Sequence, residues 1–276
     1  MCVATMKRAH PTDGADRSMD EEFAALRTQA QVGRVAFALV GPLTALYLRV
    51  LRGNRLDGVE HARQVYRDVL AMGRPVVVCA NHLTMVDSFF LHLALAPLTD
   101  YLADFRRLAW NVPAIENFQR NPFLRVLTYV GKTVPIDRAG DAAHHKRVLG
   151  KLRHLAEHGE VCAIFPEGGR SRTGRIETTE VKYGVGQILR ELERPIVLCA
   201  YLRGDKQTTW GTLPAFGDTV RLSVEVLEPS TRETGLRASR DLASQVIHKL
   251  KSMEEAHFAR HGDPAERGVP SSRDAS

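Results

Sequence analysis

Three short runs of the chain are apolar at every position: Val76-Val77-Val78-Cys79-Ala80, Val161-Cys162-Ala163-Ile164-Phe165 and Ile196-Val197-Leu198-Cys199-Ala200. Such runs, bounded by glycine or proline, predict strands covered on both faces. Helical periodicity fills the intervals: about Val59–Ala71 before the first run, Ser88–Leu98 after it, Asp141–Glu157 before the second and Tyr183–Leu192 before the third. Gly73, Gly159 and Pro195 mark where helix gives way to strand. Thr219–Leu227 alternates apolar and polar residues, the pattern of a strand nearer an edge, and a helix over Ser239–Phe258 closes the unit. The order predicts an α/β fold: a single domain with a mostly parallel, buried sheet flanked by helices.

Ahead of that domain, Val35–Leu48 is an uncharged stretch of 14 residues, interrupted by Gly41-Pro42 and bracketed by Arg34 and Arg49. A spanning helix needs about 20 apolar residues, so this one suits the membrane interface. The other reading is a helix packed in the core. In the interface reading Arg49, Arg52 and Arg55 meet phosphate headgroups. Ser18 and Glu21 form a capping box that starts the helix. The domains expected are therefore a polar tail (1–17), a helical, membrane-associating segment (18–55), the α/β domain (56–261) and a loose tail (262–276).

Composition narrows the partners. A net charge of +6 favours an anionic ligand or surface but does not choose one. The cationic residues are spread along the chain without interleaved aromatics, which argues against nucleic acid. Of four cysteines, Cys79, Cys162 and Cys199 lie inside the apolar runs and Cys2 near the terminus; neither a CxxC pair nor zinc spacing occurs. Buried free thiols in a reducing cytoplasm fit best.

In a parallel sheet, ligands collect beyond the carboxyl ends of the strands. The first run leads into Asn81-His82-Leu83-Thr84-Met85-Val86-Asp87, the second into Pro166-Glu167-Gly168-Gly169-Arg170-Ser171-Arg172, and the third into Leu202-Arg203-Gly204-Asp205. His82 and Asp87, five apart, do not share a helix face. They can meet if His82 lies on the strand-to-helix loop and Asp87 on the first turn after it. Asp87 would then fix the imidazole tautomer and leave the second nitrogen as a base. An Asn-His turn with Asp87 capping the helix is the structural alternative.

Asn81-His82 followed by Asp87 resembles the first motif of the glycerolipid acyltransferases, the family of lysophosphatidic acid and glycerol-3-phosphate acyltransferases. Phe165-Pro166-Glu167-Gly168-Gly169-Arg170-Ser171 resembles the third motif, with Gly169 where threonine is usual. Gly131–Arg138 is similar to the second motif and Pro195-Ile196-Val197 to the fourth, and Lys182 fits the basic position after the third. The second motif departs from the pattern. Lys132 and Pro135 stand where the family has glycine and a phenylalanine or leucine, which bears on the acceptor pocket's shape.

The resemblance implies transfer of a fatty acyl group from acyl-CoA or an acyl carrier protein to a lipid acceptor hydroxyl, most simply that of 1-acylglycerol 3-phosphate. Glycerol 3-phosphate, a non-glycerol specialised lipid, or a catalytically weak lipid- or carrier-binding protein are the alternatives. It implies His82 as base, Asp87 as its orienting partner, Arg138, Arg170 and Lys182 toward an anion, Glu167 toward an acceptor hydroxyl, and Gly168 and Gly169 for close backbone approach. No metal or cofactor is implied beyond the thioester co-substrate. The setting is an anionic membrane surface on the cytoplasmic face, with peripheral or monotopic attachment.

Other signals are weaker. His154-Leu-Ala-Glu157-His158 matches an H-x-x-E-H metal pattern. Arg147, Lys151, His154 and His158 nevertheless form one helical stripe, expected to face solvent. Gly184-Val185-Gly186 is read as a helix-packing pair.

Overall fold

The computed structural model describes residues 19–179 and 181–265. The expected polar tail, the Ser18 cap, Cys2 and most of the final tail lie outside them. A long helix, α1 (Met19–Leu46), continues through Pro42 and passes into a wider turn over Tyr47–Leu51. Then follow β1 (Arg55–Asp57), α2 (Val59–Ala71), β2 (Val76–Ala80), α3 (Asp87–Leu95) and α4 (Leu98–Ala103). The chain goes on through β3 (Trp110–Asn111), α5 (Pro122–Val130), α6 (Ala142–Glu157), β4 (Cys162–Ile164) and α7 (Gly184–Glu191). It ends with β5 (Ile196–Gly204), β6 (Thr219–Leu227) and α8 (Gly235–His261).

The sheet order is β1-β6-β5-β2-β4-β3. Every pairing is parallel except β5 with β6. Every residue of β2 and of β5 is buried, which is why Val76–Ala80 and 196–202 read as unbroken apolar runs. Side chains alternate between two cores: Val76, Val78 and Ala80 face one, Val77 and Cys79 the other. Cys79, Cys162 and Cys199 are buried free thiols.

Several expectations need correction. The helix expected over Ser88–Leu98 breaks at Ala96-Pro97, because proline cannot donate into a continuing helix, and α4 restarts behind it. The alternating strand β6 does lie next to the edge, as its pattern predicts. The three-residue β1 covers it, pairing Arg55, Leu56 and Asp57 with Thr219, Val220 and Arg221. The basic stripe of α6 is partly roofed by α1: Lys151 pairs with Glu22 at 3.1 Å and the His154 ring stacks on Phe23 at 3.6 Å. Among the described residues no histidine, cysteine and carboxylate cluster has the makings of a metal site. Gly186 does serve packing, since a Cβ there would lie 1.8 Å from the Ser239 carbonyl oxygen of α8.

Helix α1 has two different sides. Leu26, Gln29, Gly33, Gly41 and Leu48 are buried, and Gln29 donates from Nε2 to the carbonyls of Tyr129 (2.9 Å) and Thr133 (3.0 Å). Val32, Val35, Leu39, Leu43, Leu46 and Val50 recur at helical spacing and are exposed. The 33 residues Met19–Leu51 form a helix long and apolar enough to cross a bilayer by length and composition, and the 14-residue stretch is part of its C-terminal half. Neither original reading holds alone, because one side packs on the domain and the other is bare. Arg52 is turned inward too, donating to the Pro214 carbonyl and stacking on Phe216, while Arg49 and Arg55 remain exposed.

Candidate active site

The loop after β2 is held from below by Asn81. Its buried side-chain amide donates to the Leu202 carbonyl (2.9 Å) and accepts from the Leu202 N–H (2.7 Å), tying the end of β2 to β5. His82 stands one residue beyond. Its Nδ1 lies 3.1 Å from Asp87 Oδ2, with Asp87 the first residue of α3. The same carboxylate oxygen accepts from the backbone N–H groups of Leu83 (2.6 Å) and Thr84 (2.7 Å), and Oδ1 accepts from the Thr84 hydroxyl. Asp87 thus bonds the preceding loop rather than the helix's own N–H groups, and it also faces His82. It folds the loop back onto the helix start and turns Nδ1 of His82 inward. An Nδ1–H donated to a carboxylate leaves Nε2 as the free acceptor. The imidazole also lies against Phe165, ring centres 4.2 Å apart and nearly parallel, which restricts its rotation.

The loop after β4 approaches from the neighbouring strand. Ser171 N–H donates to the His82 carbonyl at 2.9 Å, and the His82 N–H donates to Glu167 Oε1 at 2.9 Å. Glu167 is therefore turned toward the His82 backbone, a role the sequence did not suggest. Burial pushes its carboxyl up to about 8, and the neighbouring Glu254, Asp87 and Glu177 push the same way against the His82 N–H. Gly168 has φ +69, a conformation that strains any residue with a side chain. A Cβ at Gly169 would meet nothing within 4 Å, so the space at this position does not require glycine. Arg170 donates to the Gly211 carbonyl (3.2 Å) and lies over the Trp210 ring, 4.7 Å from its centre.

His82, Arg138, Gly168, Gly169, Arg170 and Lys182 line a cavity of about 1920 Å³; Asp87 and Glu167 stand behind it. Part of its lining is largely apolar, from Phe37, Val40 and Gly41 of α1, Phe89 and Leu93 of α3, and Leu98 and Tyr101 of α4. Arg138 is half exposed and sits 3.6 Å from Glu116, so an incoming anion would compete with that carboxylate.

The altered second motif has a physical explanation. Lys132 adopts φ +52, the region where glycine is at ease, which accounts for the glycine usual there. Its fully buried ammonium donates to the carbonyls of Phe105 (2.8 Å) and Leu108 (2.6 Å) and to Glu160 (2.6 Å), away from the cavity. Glu160 also accepts from the Trp110 indole (2.9 Å). Burial lowers the Lys132 pKa and Glu160 opposes it.

Sequence reasoning missed Thr84, Phe165, Trp210 and Gly211. Thr84, three residues before Asp87, carries a local signal, since a hydroxyl at that spacing can bond a helix-start carboxylate. Trp210 and Gly211 reach the site only through the fold.

A histidine with one nitrogen on a buried carboxylate and the other free, beside a lipid-sized cavity with cationic groups, has the geometry of a site that activates a hydroxyl for group transfer. The family model for acyltransferases matches residues 56–202, more than half of the chain, covering the elements from α2 through α7 and most of β1 and β5, with α1 outside it. The chain belongs to the glycerolipid acyltransferase family. The comparison with curated proteins gives no match.

Proposed function

We propose that this acyltransferase moves a fatty acyl group from a thioester, acyl-CoA or an acyl carrier protein, to the free hydroxyl of 1-acylglycerol 3-phosphate in phospholipid synthesis. The observation that carries the reading is the meeting of the His82–Asp87 pair with a largely apolar cavity that Arg138, Arg170 and Lys182 also line. Small-ligand pockets run to about 1,000 Å³; a cavity near twice that size suits long chains and a headgroup together.

In this mechanism Nε2 of His82 takes the acceptor's hydroxyl proton while the oxygen attacks the thioester carbonyl. Asp87 holds Nδ1–H and stabilises the imidazolium. The tetrahedral intermediate then expels the thiolate, which recovers a proton from His82. A base of this kind contributes about 10²–10⁴-fold in rate. Arg138, Arg170 and Lys182 act on the acceptor's phosphate, Arg170 and Arg138 being suited to paired contacts with its oxygens. Glu167 acts from behind the cavity by bracing the His82 backbone.

The protein works at the cytoplasmic face of the membrane, attached from one side. Helix α1 leaves most of its apolar surface bare and lines the cavity with Phe37, Val40 and Gly41. Its exposed apolar side lies in the interface with Arg49 and Arg55 near the headgroups.

Thiol release from acyl-CoA and from acyl carrier protein, measured with 1-acylglycerol 3-phosphate, glycerol 3-phosphate and a phosphate-free lipid alcohol, tests the assignment. Release should depend on the first acceptor and vanish in folded His82→Ala protein. Near-normal turnover in that variant would overturn the mechanism, and equal rates with the phosphate-free alcohol would overturn the acceptor.

A further inference from the structure

We propose that the connection between β5 and β6, residues 205–218, is a strap that sets the geometry of both catalytic loops, and that Trp210 is the residue through which it positions Arg170. The proposal rests on reading Arg170 as an anion-binding group of the acceptor site. It goes beyond that reading by assigning a role to a segment outside residues 56–202, the part matched by the family.

The strap touches each loop at its backbone. Gly211 N–H donates to the Leu83 carbonyl (2.9 Å), and Met85 N–H donates to the Thr212 carbonyl (3.2 Å), on either side of the turn that Asp87 holds. On the other loop, the Thr209 hydroxyl donates to the Arg172 carbonyl (3.1 Å) and Arg170 donates to the Gly211 carbonyl (3.2 Å). Gly211 thereby links the His82 loop through its N–H and Arg170 through its C=O. The strap is itself fixed underneath. Arg203, 1% exposed, donates to the carbonyls of Gln207 (3.1 Å) and Thr208 (3.3 Å) and to Gly174 of the Arg170 loop (2.6 Å).

Trp210 completes the arrangement. A guanidinium has five donors in one plane. Lying over the indole at 4.7 Å, with one nitrogen on Gly211, Arg170 is attracted to the ring face while its remaining edge stays available. An arginine already held this way loses less side-chain freedom when it grips an anion. Trp210 acts through Arg170 and need not touch substrate, so its loss should fall on acceptor binding.

The test compares Trp210→Ala, Trp210→Phe, Arg170→Ala and the Trp210→Ala/Arg170→Ala double variant. The readouts are KM for 1-acylglycerol 3-phosphate, KM for the acyl thioester, and acrylamide quenching of tryptophan fluorescence. Of the two tryptophans, Trp110 is completely buried, so quenching reads Trp210. Trp210→Ala should raise the acceptor KM roughly three- to tenfold, more than the donor KM, and Trp210→Phe should recover most of it. The double variant should be no worse than Arg170→Ala, and Arg170→Ala should make Trp210 easier to quench. Should Trp210→Ala fail to fold, Trp210→Leu keeps apolar volume without a ring face and takes its place.

Multiplying effects in the double variant, or quenching unchanged by Arg170→Ala, would overturn the proposal. An acceptor KM raised by Arg170→Ala but not by Trp210→Ala would overturn it while leaving the anion reading standing. An acceptor KM untouched by Arg170→Ala would overturn the anion reading itself.

Discussion

Replacing Asp87 by asparagine should separate its two roles, because the amide can keep the loop while losing the charge. The alanine variant cannot do this. It removes the acceptor for the Leu83 and Thr84 N–H groups, both in buried residues. Each buried donor left unpaired costs about 1–3 kcal/mol, and two of them take a large part of a domain stability of about 5–15 kcal/mol. Asparagine can place its oxygen where Oδ2 stands, facing both N–H groups and His82 Nδ1, with its NH₂ toward Thr84 Oγ1, which can accept. What is lost is the attraction between carboxylate and imidazolium as His82 takes the proton. At an effective dielectric near 20 and about 4 Å between charges this is roughly 4 kcal/mol, or about 10³-fold in kcat. The assay is steady-state thiol release beside thermal unfolding. Asp87→Asn should melt near the parent and turn over about a thousandfold more slowly, and Asp87→Ala should melt much lower. A folded Asp87→Asn within about tenfold of the parent would refute the charge argument.

Three further substitutions probe other parts of the molecule. Lys132→Met leaves Glu160 and two carbonyls without their buried donor, so it should lower unfolding stability in urea by about 3–5 kcal/mol; an unchanged midpoint would show that Glu160 finds another partner. Leu39 and Leu43 are 65% and 53% exposed. With about 1.5–3 kcal/mol for complete burial of such a side chain, Leu39→Ser/Leu43→Ser should weaken vesicle binding by about 2–3 kcal/mol, or roughly 30- to 150-fold, without loss of folding. Full co-sedimentation of that variant would remove this side of α1 as the anchor. Glu167 holds its proton up to about pH 8 when folded but releases it near 4.5 when unfolded. The unfolded state therefore gains as pH rises through that window. The melting temperature of Glu167→Gln relative to the parent should climb from about pH 5 to about pH 8, and a constant difference would refute the assignment.

What could be read in advance follows from how local each signal is. β2 and α2 have the expected ends because Pro75 and Gly73 bound them and because β2 is buried on both faces. His82 and Asp87 were legible as a pair since one loop and one helix turn join them. β1 and β3, three and two residues long, carry no period and are defined by long-range pairing, β1 with β6 and β3 with β4 and Thr133. α5 has a readable start, the Asn121 side chain capping Leu124 N–H with Pro122 behind it. It buries no residue fully and exposes Phe123, Val126 and Tyr129, so it lacks the buried stripe that marks the other helices. The strap around Trp210 has neither period nor motif, and its contacts span from about 40 residues to Arg170 to more than 120 to Leu83 and Met85.

Strand register explains why the first and third motifs work as a unit while the second can drift. In the parallel pairing of β2 with β4, Val77, Val78 and Cys79 lie beside Cys162, Ala163 and Ile164. Counting on, His82 and Glu167 leave the sheet side by side, close enough for the 2.9 Å bond between them. A slip of one residue would exchange the faces of the slipped strand, driving Val78 and Ala80 into the core that now holds Val77 and Cys79, and would carry His82 past Glu167. The spacing from strand to motif is thus fixed by burial on both faces. The second motif leaves α5 through a turn whose demand at Lys132 is a positive φ. Glycine meets that demand without strain, at a cost of about 1–2 kcal/mol for other residues. Lysine meets it here because its ammonium finds Glu160 and two carbonyls. A sheet-bound motif has one solution, whereas a turn-bound motif has as many as there are side chains that can offset the strain.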